Sequence, residues 1–172
     1  MTPFRRKQLV GIAGALPAFA VVALTLENAS SLFEFVALPS DDLYSRLAFA
    51  LRWMLLPGSC LLLGVIVAAR RGFVPDAIDG TRTPTSRSLE INLRYNQNTL
   101  EQTVLACIVW ANLAVSLPIA HLALIPAMAA LFATGRVAFW VGYLIHPMGR
   151  SFGMVLTVLP TVASYAWVVS HA

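Results

Sequence analysis

Charge is what this chain most lacks. Only 12% of its 172 residues are Asp, Glu, Lys or Arg, against about 25% in an ordinary soluble domain. That deficit, with 58% hydrophobic residues and a mean hydropathy of +0.74, excludes a water-soluble globule and points to an integral membrane protein. Cysteine is also scarce. Cys60 and Cys107 both sit in apolar stretches, which rules out a disulfide framework and any Cys/His metal spacing, so no metal is expected. The formal charge of +4 comes without a basic patch interleaved with aromatics, so nucleic acid is not an expected partner. Low-complexity tracts, repeats and a separate soluble domain are missing as well.

What is there reads as five membrane spans. A basic start with Arg5, Arg6 and Lys7 precedes an uncharged run from Leu9 to Leu26. This run is long for a signal peptide's core and lacks a clean cleavage site, so it reads as a spanning helix near the lower length limit, with Pro17 as a possible kink. An acidic connection follows, carrying Glu27, Glu34, Asp41 and Asp42. Ser40-Asp41-Asp42 has the composition of a helix start. The second span covers about Leu43 to Ala69, bent at Pro57-Gly58, with Arg46 and Arg52 expected to snorkel to the headgroups. Residues 70 to 88 form a polar loop with Arg70, Arg71, Arg82 and Arg87 and the breakers Pro75, Gly80 and Pro84. A third span runs from near Leu89 to Ser116-Leu117-Pro118, a fourth from about His121 to Ile145, and a fifth from Arg150-Ser151 to about Val169. The chain then divides into residues 1–42, a helix with its connection, and 43–172, a four-helix membrane unit.

Alternating crossings put the N-terminus, the 70–88 loop and the 146–150 turn on one side. Of the 12 Lys and Arg residues, all but Arg46 and Arg52 fall there. The positive-inside rule makes that side cytoplasmic.

Several polar groups converge on the same side. Arg94, Asn98 and Glu101 are spaced four and three apart, on one helical face. Arg136 and Tyr143, seven apart, share a face of the following helix. An arginine within a span is costly unless paired, and Glu101, at similar depth, is its expected partner. Arg150, at the start of the last helix, favours an anion held between its guanidinium and the helix end. Plainer readings exist for each group: interface arginines for Arg94 and Arg150, a structural pair for Glu101 and Arg136, a helix bridge for Asn98, and an interface-belt aromatic for Tyr143, as for Trp53 and Trp140. Tyr95, His121, His146 and His171 read as interface residues. The co-location of six polar groups is what favours a site.

Two blocks carry a family resemblance. One is Arg94-x3-Asn98-x2-Glu101. The other is Gly135-Arg136-Val137-Ala138-Phe139-Trp140-Val141-Gly142-Tyr143, followed by Arg150-Ser151-Phe152-Gly153. Together they resemble the membrane-associated proteins in eicosanoid and glutathione metabolism (MAPEG), over about residues 45 to 172. The first helix lies outside the likeness. The resemblance implies an all-α membrane bundle of four helices, here with an additional N-terminal one, assembled as a homotrimer among membrane lipids. It implies glutathione as co-substrate in a cleft between subunits, held by Arg94, Asn98, Glu101, Arg136 and Tyr143, with Arg70 or Arg71 as a further carboxylate contact. Arg150 would stabilise the thiolate and Ser151 would donate a hydrogen bond. The implied activity is a glutathione-dependent transferase or peroxidase acting on lipophilic electrophiles or lipid hydroperoxides. Alternatives are a catalytically silent binding or regulatory member, or a small transporter. A bacterial inner membrane is the expected setting. Phe139 and Gln102 depart from the family, where histidine or tyrosine often stands at the first and tyrosine at the second.

Overall fold

The computed structural model describes residues 2–81 and 83–171. Arg82, one of the loop cations, lies outside the described residues. Among the described residues six α-helices follow in order: α1 (Pro3–Glu27), the short α2 (Ala29–Leu32), α3 (Leu43–Ala68), α4 (Arg87–Ser116), α5 (Leu124–Ile145) and α6 (Ser151–Ser170). Short 3-10 turns at Ala69–Phe73 and Ile119–His121 extend α3 and lead into α5. Five of these segments are long and apolar enough to cross a membrane. The protein is a multi-pass, all-α membrane bundle.

Local chemistry explains the helix ends. Thr2 caps α1, its hydroxyl accepting from the Arg5 amide, with Pro3 in the first turn where its missing N–H costs nothing. The Asp42 carboxylate accepts from the Ser45 amide at 2.8 Å and from the Ser40 hydroxyl at 2.6 Å, so the expected start of α3 is there. These bonds hold the Asp42 carboxyl down at about 2, the Ser40 hydroxyl contributing most. The helices run through Pro17 and Pro57 unbroken.

Arg46 corrects the sequence reading. Its guanidinium does not reach for headgroups. It donates to Asp41 and, across the bundle, to the carbonyls of Ala114 (3.0 Å) and Leu117 (2.8 Å). These oxygens at the end of α4 have no partner in their own helix, and a cation there satisfies them and opposes the negative helix end.

The bundle is organised around α5. Two-thirds of its span is buried, against 17% for α1. Ile125, Met128, Ala129 and Phe132 of α5 meet Val109, Trp110 and Leu113 of α4, with Trp110 and Phe132 edge-on at 6.4 Å. α3 packs along α4, and α6 along both α5 and α1. Leu51, Leu55, Leu62, Leu63 and Ile66 of α3 point outward, the inverse of a soluble helix and the arrangement lipid favours. α5 and α6 approach most closely at glycines: Cβ atoms on Gly153 or Gly149 would run into the backbone of Gly135 and Phe139 or of Gly142. This approach sets the 146–150 turn against α5. Between α3 and α4 the Thr85 amide donates to Asp76 at 2.6 Å, which lowers that carboxyl's pKa.

Candidate functional site

Among the described residues the charge most withdrawn from solvent is Arg136, which is 0% exposed. It donates to Asn98 Oδ1 at 2.7 Å and to Thr157 Oγ1 at 2.5 Å. Its guanidinium lies over the rings of Phe139 (4.8 Å) and Phe132 (5.6 Å). Among the described residues no carboxylate pairs with it, and its Nε has no partner. A buried cation is held by two neutral oxygens and two aromatic faces.

This corrects the expected Glu101–Arg136 pair. Glu101 is exposed, and its carboxylate accepts from Gln97 at 2.8 Å. Three helical residues turn by 300°, so Glu101 is rotated about 60° from Asn98, and only Asn98 meets α5. Thr157, which takes the second bond, carries a hydroxyl signal that is weak in sequence because such groups usually bond back to their own helix. It does that too, to Gly153 and Met154.

Next to Asn98 lies a cavity of about 360 Å³ lined by Arg94, Asn98, Phe139, Arg150, Ser151 and two methionines, Met148 and Met154. It joins α4, α5 and the start of α6, as the two sequence blocks suggest. The compact turn before α6 places its polar groups. The amides of Gly149 and Met148 donate to the His146 carbonyl and ring, and the Ser151 hydroxyl donates to the Met148 carbonyl at 2.8 Å. Arg150 lies over the Tyr143 ring, 4.7 Å from its centroid, a cation–π contact that steadies the guanidinium. Arg94 is exposed and shares its charge with Glu90, one turn earlier, at 2.7 Å.

Six of the eight expected site residues therefore gather: Arg94, Asn98, Arg150 and Ser151 line the cavity, Tyr143 supports Arg150, and Arg136 fixes Asn98 from behind. Glu101 and Arg70 do not join them. Arg70 donates to Ser88 at 3.1 Å and Arg71 to the Ala77 carbonyl, so neither lines the cavity. Tyr95 is also corrected. It is buried rather than interfacial, its ring tilted against those of Phe139 and Trp140, with its hydroxyl donating to the Cys60 carbonyl. Trp140 in turn donates to Asn92 at 2.7 Å. These contacts fix the α4–α5 wall from which Asn98 projects.

A multi-pass helical membrane protein with a cationic cleft between its central helices is thus defined. The chain belongs to the MAPEG family, whose sequence model matches residues 47–170. The match covers α3 to α6 and leaves α1 outside it. Among curated proteins the chain is similar to "Transmembrane protein 79" of Mus musculus, 27% identical over 162 residues, which is 94% of this chain and 41% of that protein. The Bos taurus protein of the same name is 26% identical over an equal length. The chain spans only 41% of the length of these relatives. They are mammalian, and their name states a membrane location and no reaction. No solved structure matches significantly.

Proposed function

We propose that the cavity binds glutathione and activates its thiol toward lipophilic electrophiles or lipid hydroperoxides arriving from the bilayer. The protein is then a glutathione-dependent transferase or peroxidase. The observation that carries this reading is the cavity's lining: two arginines, an amide and a hydroxyl, with no carboxylate among them. A pocket of this size suits a small ligand, and its charge suits an anionic one. Arg94 and the Asn98 amide face the carboxylate-bearing part of the tripeptide. Arg150, steadied by Tyr143 at the start of α6, faces the sulfur. A free thiol has a pKa of about 8.5, and a nearby guanidinium and helix N-terminus both lower it. With an epoxide-type electrophile the thiolate forms a carbon–sulfur bond as a carbon–oxygen bond breaks, and the freed oxygen takes a proton from water; with a hydroperoxide two glutathiones are oxidised to their disulfide while the O–O bond is reduced to an alcohol and water.

Assembly as a homotrimer belongs to the same reading. Gln97, Glu101 and Asn112 lie on the exposed face of α4 beside Leu100, Leu105 and Ile108. Ionisable and amide groups in a membrane face seek a partner surface rather than lipid, and a second copy of the chain supplies one. The excess of Lys and Arg at the cavity's end of the bundle supports a cytoplasmic opening.

A second reading keeps the binding and drops the turnover. It is favoured by Glu90, which already takes the charge of Arg94. Glutathione titrated into the detergent-purified protein at neutral pH separates the two, with thiolate absorbance and calorimetry recorded together. The enzyme reading expects heat and thiolate, with Arg150→Ala losing the thiolate signal. Heat without thiolate favours the silent reading, and no heat refutes both.

A further inference from the structure

α1 lies outside the residues that define the family, yet its start forms a hollow with the turn before α6. The hollow, of about 580 Å³, is lined by Pro3, Arg6, Lys7 and Val10 of α1 and by His146. Lys7 lies one turn before Gly11. A Cβ on Gly11 would come within 2.8 Å of Met148 Cε, so α1 is held close against the turn just beyond the hollow. The three polar side chains of the lining are all donors. Arg6 and Lys7 are exposed, and among the described residues neither has a carboxylate partner. His146 has extended backbone ahead of Pro147, and its ring Nδ1 accepts from the Met148 amide at 3.1 Å. A neutral imidazole that accepts at one nitrogen carries its proton on the other, so Nε2–H is left to donate. The uncharged run of α1 begins at Leu9, two residues beyond Lys7, so the hollow lies where the helix enters the bilayer.

We propose that Arg6, Lys7 and His146 bind a phosphate group at the membrane surface, carried by an anionic lipid of the leaflet in which α1 begins. Two cations and a neutral donor, with no acceptor among them, match the charge and the oxygens of a phosphate. Basic pockets between membrane helices at this level take such head groups. Pro3 and Val10 give the hollow apolar edges, which suit a phosphate attached to a lipid over a fully hydrated ion. The site also reaches the turn. A phosphate oxygen accepting from Nε2–H polarises the imidazole and strengthens its acceptance at Nδ1. The bound group thereby braces the Met148 amide, and with it the turn that leads into Arg150 and Ser151. None of this requires that the neighbouring cavity takes a thiol.

The test is native mass spectrometry of the full chain, stripped of lipid in detergent and titrated with phosphatidic acid or phosphatidylcholine. Phosphatidic acid is expected to bind once per chain, and the zwitterionic lipid about tenfold more weakly or less. Glycerol 3-phosphate is added as a competitor. Competition identifies the phosphate alone as the recognised group, its absence assigns the site to the lipid, and both support a phosphate site. Arg6→Gln and Lys7→Gln are each expected to weaken binding about fivefold, the scale of one basic residue at an anionic surface. Arg5→Gln removes the same charge from a residue that does not line the hollow, and is expected to change affinity by less than about twofold. His146→Asn keeps an acceptor for the Met148 amide and loses the Nε2 donor, with an expected loss of about fivefold, one hydrogen bond's worth. Hydrogen exchange at the Met148 amide should slow on adding phosphatidic acid to the wild type, and not in His146→Asn. Equal losses from Arg5→Gln and Arg6→Gln mean diffuse attraction to a basic segment and would overturn the site. An affinity untouched by His146→Asn, or phosphatidylcholine bound as tightly as phosphatidic acid, would do the same. Exchange at Met148 that stays unchanged while the lipid binds would overturn the brace.

Discussion

Thr157→Val is the sharpest perturbation the structure offers. It keeps the side chain's shape and removes the oxygen that accepts from Arg136 at 2.5 Å. Two scales compete for the magnitude. Hydrogen bonds between membrane helices average about 0.6 kcal/mol in double-mutant cycles, whereas a bond to a charged group contributes about 1.5–3 kcal/mol. Arg136 is fully buried, has no carboxylate within ion-pair distance among the described residues, and has an unpartnered Nε. Its guanidinium stays charged and has little else to turn to, so the larger scale governs and the expected loss is about 2 kcal/mol. The assay is reversible unfolding in mixed dodecyl sulfate micelles, followed by the fluorescence of tryptophans, Trp110 being buried among them. Thr157→Ser, which keeps the hydroxyl, should lose little. Arg136→Met removes the charge that needs the bond, so adding Thr157→Val to it should cost far less than in the wild type, a coupling of about 1.5 kcal/mol or more. A Thr157→Val loss near 0.6 kcal/mol, or additivity within about 0.5 kcal/mol, would refute the view of Arg136 as an uncompensated buried cation.

Gly153→Ala places a methyl group against the backbone of Gly135 and Phe139. It is expected to lower thermal stability in detergent by about 1–3 kcal/mol and, by moving the start of α6, to weaken glutathione binding in the same preparation. Glu101→Gln is expected to leave glutathione affinity within about twofold, as for a surface change, and to weaken self-association measured by sedimentation in detergent. Asp42 titrates from about 2 in the fold against an ordinary 3.8. A lowered folded pKa stabilises above the ordinary value, and that share is lost as pH falls from about 4 to about 2. The protection factor of the Ser45 amide should fall over that range, and Asp42→Asn, a non-titrating cap, should flatten the response.

The spans were readable because lipid imposes a length and a polarity that only a run of apolar residues meets. Asp42 was readable because capping is local. What sequence misjudged depended on partners far along the chain. Arg46 has the long stem of a snorkelling residue, but its carbonyl partners lie 68 and 71 positions away and are brought near only when α3 packs on α4. Glu101 shares a helical face with Asn98 in the broad sense, yet a face is wide and its neighbour is narrow. Tyr95 has the composition of an interface residue, and only the packing of Phe139 and Trp140 over it assigns it to the interior. The cavity was legible as a set of residue types. Its second layer, Thr157, was not, because a threonine in an apolar helix looks like any other.

The two inner arginines divide the work. Arg136 is satisfied by neutral groups and touches none of the cavity's free space, but it holds Asn98 by the carbonyl oxygen. An amide whose oxygen is occupied keeps its NH₂ as the remaining polar end, so Asn98 borders the cavity as a donor. Arg150, placed over Tyr143, borders it as a second donor, and Arg94 as a third, partly neutralised by Glu90. Ser151 spends its proton on Met148. The polar lining is therefore biased toward donors with net positive charge, and the uncompensated charge of Arg136 adds to that potential across low-dielectric protein where screening is weak. A ligand that brings its own negative charge is the one such a lining stabilises. A neutral or cationic ligand would leave these donors unpaired, at the cost every buried unmatched polar group carries.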